Sequence, residues 1–143
     1  HRFAGQVEIN NSEGGVIQDR TIYEDVEIFA KNLHKMNYMA DRDWRTYENL
    51  FKNMTQFLKK PDLIIYLKAS TDTLLSRIQN RDRNFEREIS PEYLHSLNIS
   101  YDKWINNCTD QKVITIESDG FNIFKDNEKL DAILNQIEAE LTE

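Results

Sequence analysis

Five consecutive apolar residues, Leu63-Ile64-Ile65-Tyr66-Leu67, follow a break at Pro61-Asp62, and this run constrains the fold more than any other feature of the chain. A strand with one face in water alternates apolar and polar residues, whereas a strand of a parallel sheet covered by helices on both sides is apolar at every position. The run therefore predicts a central strand over residues 62–67 of an α/β fold. Its surroundings agree. Ser70-Thr71-Asp72 supplies an N-cap for a helix through Leu74, Leu75 and Ile78. Pro91, after Ser90, suits the first position of another helix reaching toward Trp104. Val113-Ile114-Thr115-Ile116 is a second, β-branched strand, and residues 127–141 form an amphipathic closing helix.

Upstream, Gly15-Val16-Ile17-Gln18 reads as a short strand ending at Asp19-Arg20-Thr21. Ile22, Val26, Phe29, Ala30 and Leu33 then recur at helical spacing. Asp41 or Asp43 is placed to cap a long helix carrying Tyr47, Leu50, Phe51, Met54 and Leu58, stopped at Lys59-Lys60-Pro61. The predicted order is β, α, α, β, α, α, β, α, without repeats, which is an α/β class. The 143 residues suit one domain. Because the chain opens at His1 without Met, inside what reads as the end of a helix (His1-Arg2-Phe3-Ala4), missing upstream sequence is expected.

Charge narrows the function. Eighteen basic against 25 acidic residues give a net charge of −7, which argues against a general affinity for nucleic acid or anionic membrane. No apolar run approaches the ~20 residues of a membrane span. A single cysteine, Cys108, excludes an internal disulfide, and a reducing cytoplasm is the expected location. His1, His34 and His95 lack ligand spacing, so zinc and haem are not expected. Against this acidic background Arg77, Arg81, Arg83 and Arg87 fall within eleven residues, beside Glu86. Arg77 and Arg81 can share one helical face, with Arg83 on the loop that follows. Planar guanidinium groups suit polyphosphate oxygens, although a solvated helix end favoured by its dipole is the plainer alternative for any one of them. Asp19 and Arg20 sit where ligands of open α/β sheets bind, outside a strand's carboxyl end.

Taken together, Asp19-Arg20-Thr21-Ile22-Tyr23-Glu24-Asp25 followed by Ile28-Phe29-Ala30 resembles the deoxynucleoside kinase family, with its Asp/Glu-Arg-Ser motif and an Asp four residues after the Ser. Pro61 to Leu67 resembles that family's central strand. Arg77 to Glu86 resembles its lid, R-x-x-x-R-G-R-x-x-E, placed at about residues 77–88, and Tyr93-Leu94, Leu97, Tyr101 and Trp104 resemble the helix after it. The resemblance covers residues 1–143 and implies the C-terminal two-thirds of one P-loop kinase-type domain, a parallel sheet flanked by helices. Asp82 stands where the family has Gly, and Thr21 where it has Ser. No G-x-x-x-x-G-K-[ST] occurs, so the P-loop, the general base and the base-reading Gln are expected upstream, and the chain alone is expected to be inactive.

The resemblance implies transfer of the γ-phosphoryl group of ATP, with Mg²⁺, to the 5′-hydroxyl of a deoxynucleoside in salvage. It implies that Asp19 lies near Mg²⁺ and the phosphates. Arg20 would neutralise charge at the transferring group. Arg81 and Arg83 would clamp phosphates, Arg77 would flank the adenine of ATP, Glu86 would accept from the sugar 3′-hydroxyl, and Phe29 would stack on the substrate base. Asp25 paired with Arg2 implies a base with an exocyclic amino group, as in deoxyadenosine, deoxycytidine or deoxyguanosine, over thymidine. The family's dimers imply a homodimer through the helices bearing Phe51 and Trp104. The rival readings are a nucleoside monophosphate kinase, thymidylate kinase included, and a non-catalytic α/β interaction domain.

Overall fold

A computed structural model describes residues 2–86 and 88–142, with the Phe85 side chain outside the description; His1 and Arg87, singled out above, lie outside the described residues. The chain divides into two compact units, His1–Lys60 and Pro61–Glu143.

The first unit is helical. Helix α1 is Arg2–Asn10, longer than the helix end expected there. Helix α2, Ile22–Glu24, runs directly into a π-helical stretch, Asp25–Ala30, and then into α3, Lys31–Lys35. The wider π turn shifts the inward face away from simple α periodicity. Ile28 and Asn32, off the predicted face, are therefore buried with Ile22, Val26 and Ala30, while Phe29 is half-buried. Helix α4 is Asp41–Thr55, shorter than expected and capped by neither aspartate: Ala40 holds the N-cap position, and Asp41 is already helical. Tyr23 meets Phe51 edge-to-face at 5.8 Å. The Asn10 side chain ties the end of α1 to the chain after α4, donating to Phe57 O at 3.3 Å and accepting from Lys59 N at 3.1 Å.

The strand expected at Gly15–Gln18 is not formed. These residues have no ladder partner, and Val16 and Ile17 are 48% and 99% exposed. A β propensity becomes a strand only when a neighbour takes up its backbone hydrogen bonds.

The Asp41 carboxylate is used elsewhere, accepting from His34 Nε2 at 2.8 Å, with the His34 ring stacked on Trp44 at 5.4 Å. That hydrogen bond first, and the His34 charge second, hold the Asp41 carboxyl below its ordinary value. A carboxyl lowered in the folded state stabilises above its unfolded pKa, and this contribution is lost as pH falls through the folded value. Asp41→Asn is therefore expected to be less stable than the parent above about pH 5, with the difference closing as pH falls below the ordinary aspartate range. Urea unfolding across that range checks it; a difference independent of pH would show that the pair is not linked to folding.

The second unit holds the sheet. Strands β1, Leu63–Lys68, and β2, Lys112–Glu117, are parallel, registered from Leu63 opposite Lys112 to Lys68 opposite Glu117. Helix α5, Thr71–Arg81, and helix α6, Pro91–Asn106, connect them, and α7, Asn127–Thr142, closes the unit. The Ser70 cap forms as expected, its Oγ accepting from Thr73 N at 3.2 Å, and Pro91 opens α6 as expected, with Ser90 Oγ capping it by accepting from Tyr93 N at 3.1 Å. On one face of the sheet Tyr66 stacks on Tyr101 of α6 at 5.9 Å and donates to Asp102 at 3.3 Å. Burial first, and Asp102 second, push the Tyr66 hydroxyl far above its ordinary value. On the other face α7 lies along β2, with Lys112 Nζ donating to Glu140 O at 2.7 Å and Lys129 Nζ to Glu117 O at 3.0 Å.

Among the described residues the sheet has two strands, and β1 carries one open edge. Ile65 and Leu67 share a face with the buried Ile114 and Ile116, yet are 41% and 63% exposed. An apolar run records a demand for burial, not the number of neighbours present to meet it. No helix among the described residues is long and apolar enough to cross a membrane.

Candidate functional site

In the first unit the entry to α2 gathers the residues singled out by the sequence. Thr21 precedes the helix, and its backbone N–H donates to Glu24 Oε2 at 2.7 Å, one half of a capping box; the Thr21 hydroxyl is buried without a hydrogen-bond partner. One residue earlier, Arg20 adopts φ +61°, a left-handed conformation uncommon for a long side chain, and this bend turns the chain from the irregular 15–18 segment into the helix. Asp19 is exposed beside it.

Arg2 reaches this bend from α1. Its Nη1 donates to Arg20 O at 3.2 Å, and its Nε pairs with Asp25 Oδ2 at 2.9 Å. Both side chains remain partly open, 40% and 28% exposed. The Arg20 guanidinium lies 4.8 Å above the Phe29 ring, so the ring expected to stack on a flat ligand carries a cation on one face. Arg2, Arg20, Asp25 and Phe29, spread over 28 positions, thus form one cluster, with Asp19 at its margin. Asp25 opens the π-helical stretch, and irregular turns of this kind recur at functional sites.

Two neighbours were missed. Tyr47, read as an amphipathic helix position, has its hydroxyl raised by burial first and by the Asp25 charge second, with Arg2 acting in the opposite sense. Gln6, one helical turn after Arg2, is 4% exposed with its Oε1 lacking a partner. The four-residue spacing from Arg2 is the only signal that could have pointed to it.

In the second unit the arginine stretch follows from how α5 ends. Asp82 takes φ +46°, ψ +42°, the left-handed C-cap conformation that glycine adopts without strain, and its N–H donates to Gln79 O at 3.1 Å. A short 3₁₀ turn, Asn84–Glu86, follows. It brings Glu86 Oε2 to 3.2 Å from Arg81 Nη2 and Glu86 Oε1 to 3.6 Å from Arg83 Nη1. The Glu86 side chain is only 12% exposed, and its Oε2 makes an ion pair without hydrogen-bond alignment.

Arg77 goes elsewhere. Its Nη1 donates to Ser118 Oγ at 3.2 Å and its Nη2 to Ser118 O at 2.5 Å. Asp119, the next residue, accepts from Ser70 N at 2.9 Å. That backbone donor first, then the Thr73 hydroxyl, lower the Asp119 carboxyl below its ordinary range. Ser118 and Asp119 were also missed, although they follow the carboxyl end of a parallel strand, where the strand-end rule would have placed them. A cavity of about 320 Å³ lies at this end of the sheet, lined by Lys68, Ser70, His95, Asp102 and Asp119 among others.

The first unit thus offers a carboxylate–guanidinium pair beside an aromatic ring, suited to a flat polar heterocycle, and the second a fork of guanidinium groups suited to phosphate. A family model described as deoxynucleoside kinase matches residues 1–143. The chain is 33% identical over 138 residues to the deoxyadenosine/deoxycytidine kinase of Bacillus subtilis (strain 168), covering 95% of this chain and 64% of that protein. It is 39% identical over 129 residues to the deoxyadenosine kinase of Dictyostelium discoideum, covering 90% and 51%. These coverages mean that the chain spans about half to under two-thirds of the length of those two relatives. Among solved structures, it matches deoxyadenosine kinase from M. mycoides with products dCMP and a flexible dCDP bound, at TM-score 0.81 and 29% identity over 96% of this chain and 68% of that one. The same enzyme with bound dATP matches at TM-score 0.78 and 28% identity, covering 95% and 68%.

Proposed function

Because the chain belongs to the deoxynucleoside kinase family, we propose that it supplies the substrate-reading and lid residues of an ATP-dependent kinase acting on the 5′-hydroxyl of a deoxynucleoside whose base carries an exocyclic amino group. The observation that carries this reading is the Arg2–Asp25 pair at 2.9 Å beside Phe29. A carboxylate accepts from an exocyclic amine, and a guanidinium donates to a ring nitrogen or carbonyl, so the pair reads one edge of adenine, cytosine or guanine. The names of the relatives agree in kind: deoxyadenosine and deoxycytidine both carry that amino group.

Each remaining residue has a physical task in this reading. Arg20 meets the oxygen that accepts the phosphoryl group and offsets negative charge gathering there. Arg81 and Arg83 exchange Glu86 for phosphate oxygens, and Glu86 in turn accepts from the sugar 3′-hydroxyl. Arg77 presents a planar face to the base of ATP. Mg²⁺ is held by one or two carboxylates, with phosphates and water completing the shell, and a single exposed carboxylate at Asp19 fits that pattern. Among the described residues no group of three or more ligating side chains argues for an all-protein metal cage. When bound, the ion would supply charge neutralisation at the phosphates. A cytoplasmic homodimer pairing through α4 and α6 belongs to the same reading.

The test is transfer itself. The complete protein, given ATP and Mg²⁺, is expected to phosphorylate deoxyadenosine, deoxycytidine or deoxyguanosine in preference to thymidine, followed by chromatography of the labelled monophosphate. Activity on monophosphates but not nucleosides would overturn the assignment.

A further inference from the structure

Arg77 leaves α5 in its second turn, yet it does not join Arg81 and Arg83 around Glu86. Its two terminal nitrogens are held in plane by Ser118, one on the hydroxyl at 3.2 Å and one on the carbonyl at 2.5 Å. Ser118 is itself fixed. It is 5% exposed, and both its N–H and its hydroxyl donate to Lys68 O, each at 2.8 Å. The neighbouring Asp119 fastens the same turn to the start of α5 through Ser70 N at 2.9 Å. The guanidinium on a mobile four-atom stem is thus tied by its edge to the carboxyl ends of both strands.

A guanidinium whose edge is hydrogen-bonded still has both faces available, and a fixed planar face is what stacking on an aromatic ring requires. Arg77 is exposed, so its faces are not consumed by core packing. We propose that Ser118 is a positioning residue for donor selection, setting the plane of Arg77 against the purine ring of the nucleoside triphosphate. This inference rests on the donor-base role given to Arg77 above. It adds that a serine remote from the phosphates governs how tightly the base, but not the phosphate chain, is held. The hydroxyl does two things that alanine cannot: it accepts from Arg77 Nη1 and donates to Lys68 O. The Ser118 N–H bond to Lys68 O remains in the variant, so the strand ends stay joined.

The experiment is calorimetric binding of ADP and of inorganic pyrophosphate to the complete protein, in the parent, S118A, S118T and R77A. Loss of one hydrogen bond to a charged partner is expected to weaken ADP about 3- to 10-fold in S118A. Pyrophosphate should stay within about two-fold, since it has no base to stack. S118T keeps the hydroxyl and is expected to restore ADP affinity, which separates positioning from general loss of structure. Equal weakening of ADP and pyrophosphate, or unchanged ADP binding in S118A, overturns the proposal. If R77A weakens ADP and S118A does not, only the positioning inference falls. If R77A itself leaves ADP unaffected, the donor-base reading of Arg77 fails as well.

Discussion

Arg20→Ala is expected to lower kcat of the complete protein by about 100- to 1000-fold while changing nucleoside KM by much less, the signature of a group whose contact strengthens as charge develops. The structure sharpens this expectation. Arg20 sits at φ +61°, where a side chain costs the backbone about 1–2 kcal/mol, and its guanidinium rests on Phe29 and makes no ion pair among the described residues. A strained residue with an unneutralised charge contributes little that the fold needs. Arg20→Gly, which relieves the backbone and gives up only the contact with Phe29, is therefore expected to unfold within about 1 kcal/mol of the parent and still to lose kcat. Steady-state kinetics with both variants, paired with urea unfolding, tests the claim. Unchanged kcat in Arg20→Ala would reduce Arg20 to a turn residue.

Asp25→Ala is expected to change which base is accepted. The carboxylate is 28% exposed and paired with Arg2, so a base closing over it would complete its desolvation. Losing a charge-assisted hydrogen bond there is expected to cost amino-bearing substrates about 1.5–3 kcal/mol, roughly ten-fold to more than a hundred-fold in kcat/KM. Thymidine, with a carbonyl in that place, should lose much less or gain, because a buried carboxylate facing a carbonyl repels it. The ratio of kcat/KM for deoxyadenosine to that for thymidine is the quantity to follow. Arg2 also donates to Arg20 O, so removing Asp25 could loosen the bend as well as the base edge. Asp25→Asn separates the two, since the amide keeps one acceptor oxygen for Arg2. An equal fall for both nucleosides in Asp25→Ala would make Asp25 a structural partner of Arg2 and nothing more.

The sequence by itself determined what local chemistry and periodicity control. The apolar run at 63–67, the β-branched run at 113–116, the serine cap at 70 and the proline at 91 each specify their element through propensity and hydrogen bonding to near neighbours, and each formed. The Asp-Arg-Thr motif and the clustering of arginines over 77–83 were legible for the same reason, since their spacing is written along the chain. Only the tertiary structure decided what depends on partners distant in sequence. The 15–18 segment has strand propensity but no ladder, the π turn moves the buried face onto Ile28 and Asn32, and the Asp41 carboxylate, at the start of α4, binds His34 instead of capping the helix. The Arg77 to Ser118 fork spans 41 positions, and the Arg2 contacts with Arg20 and Asp25 span 18 and 23, distances at which no periodicity operates. Such contacts exist because folding has already been driven by burial of the apolar faces, which leaves polar groups with whichever neighbours the packing brings within reach.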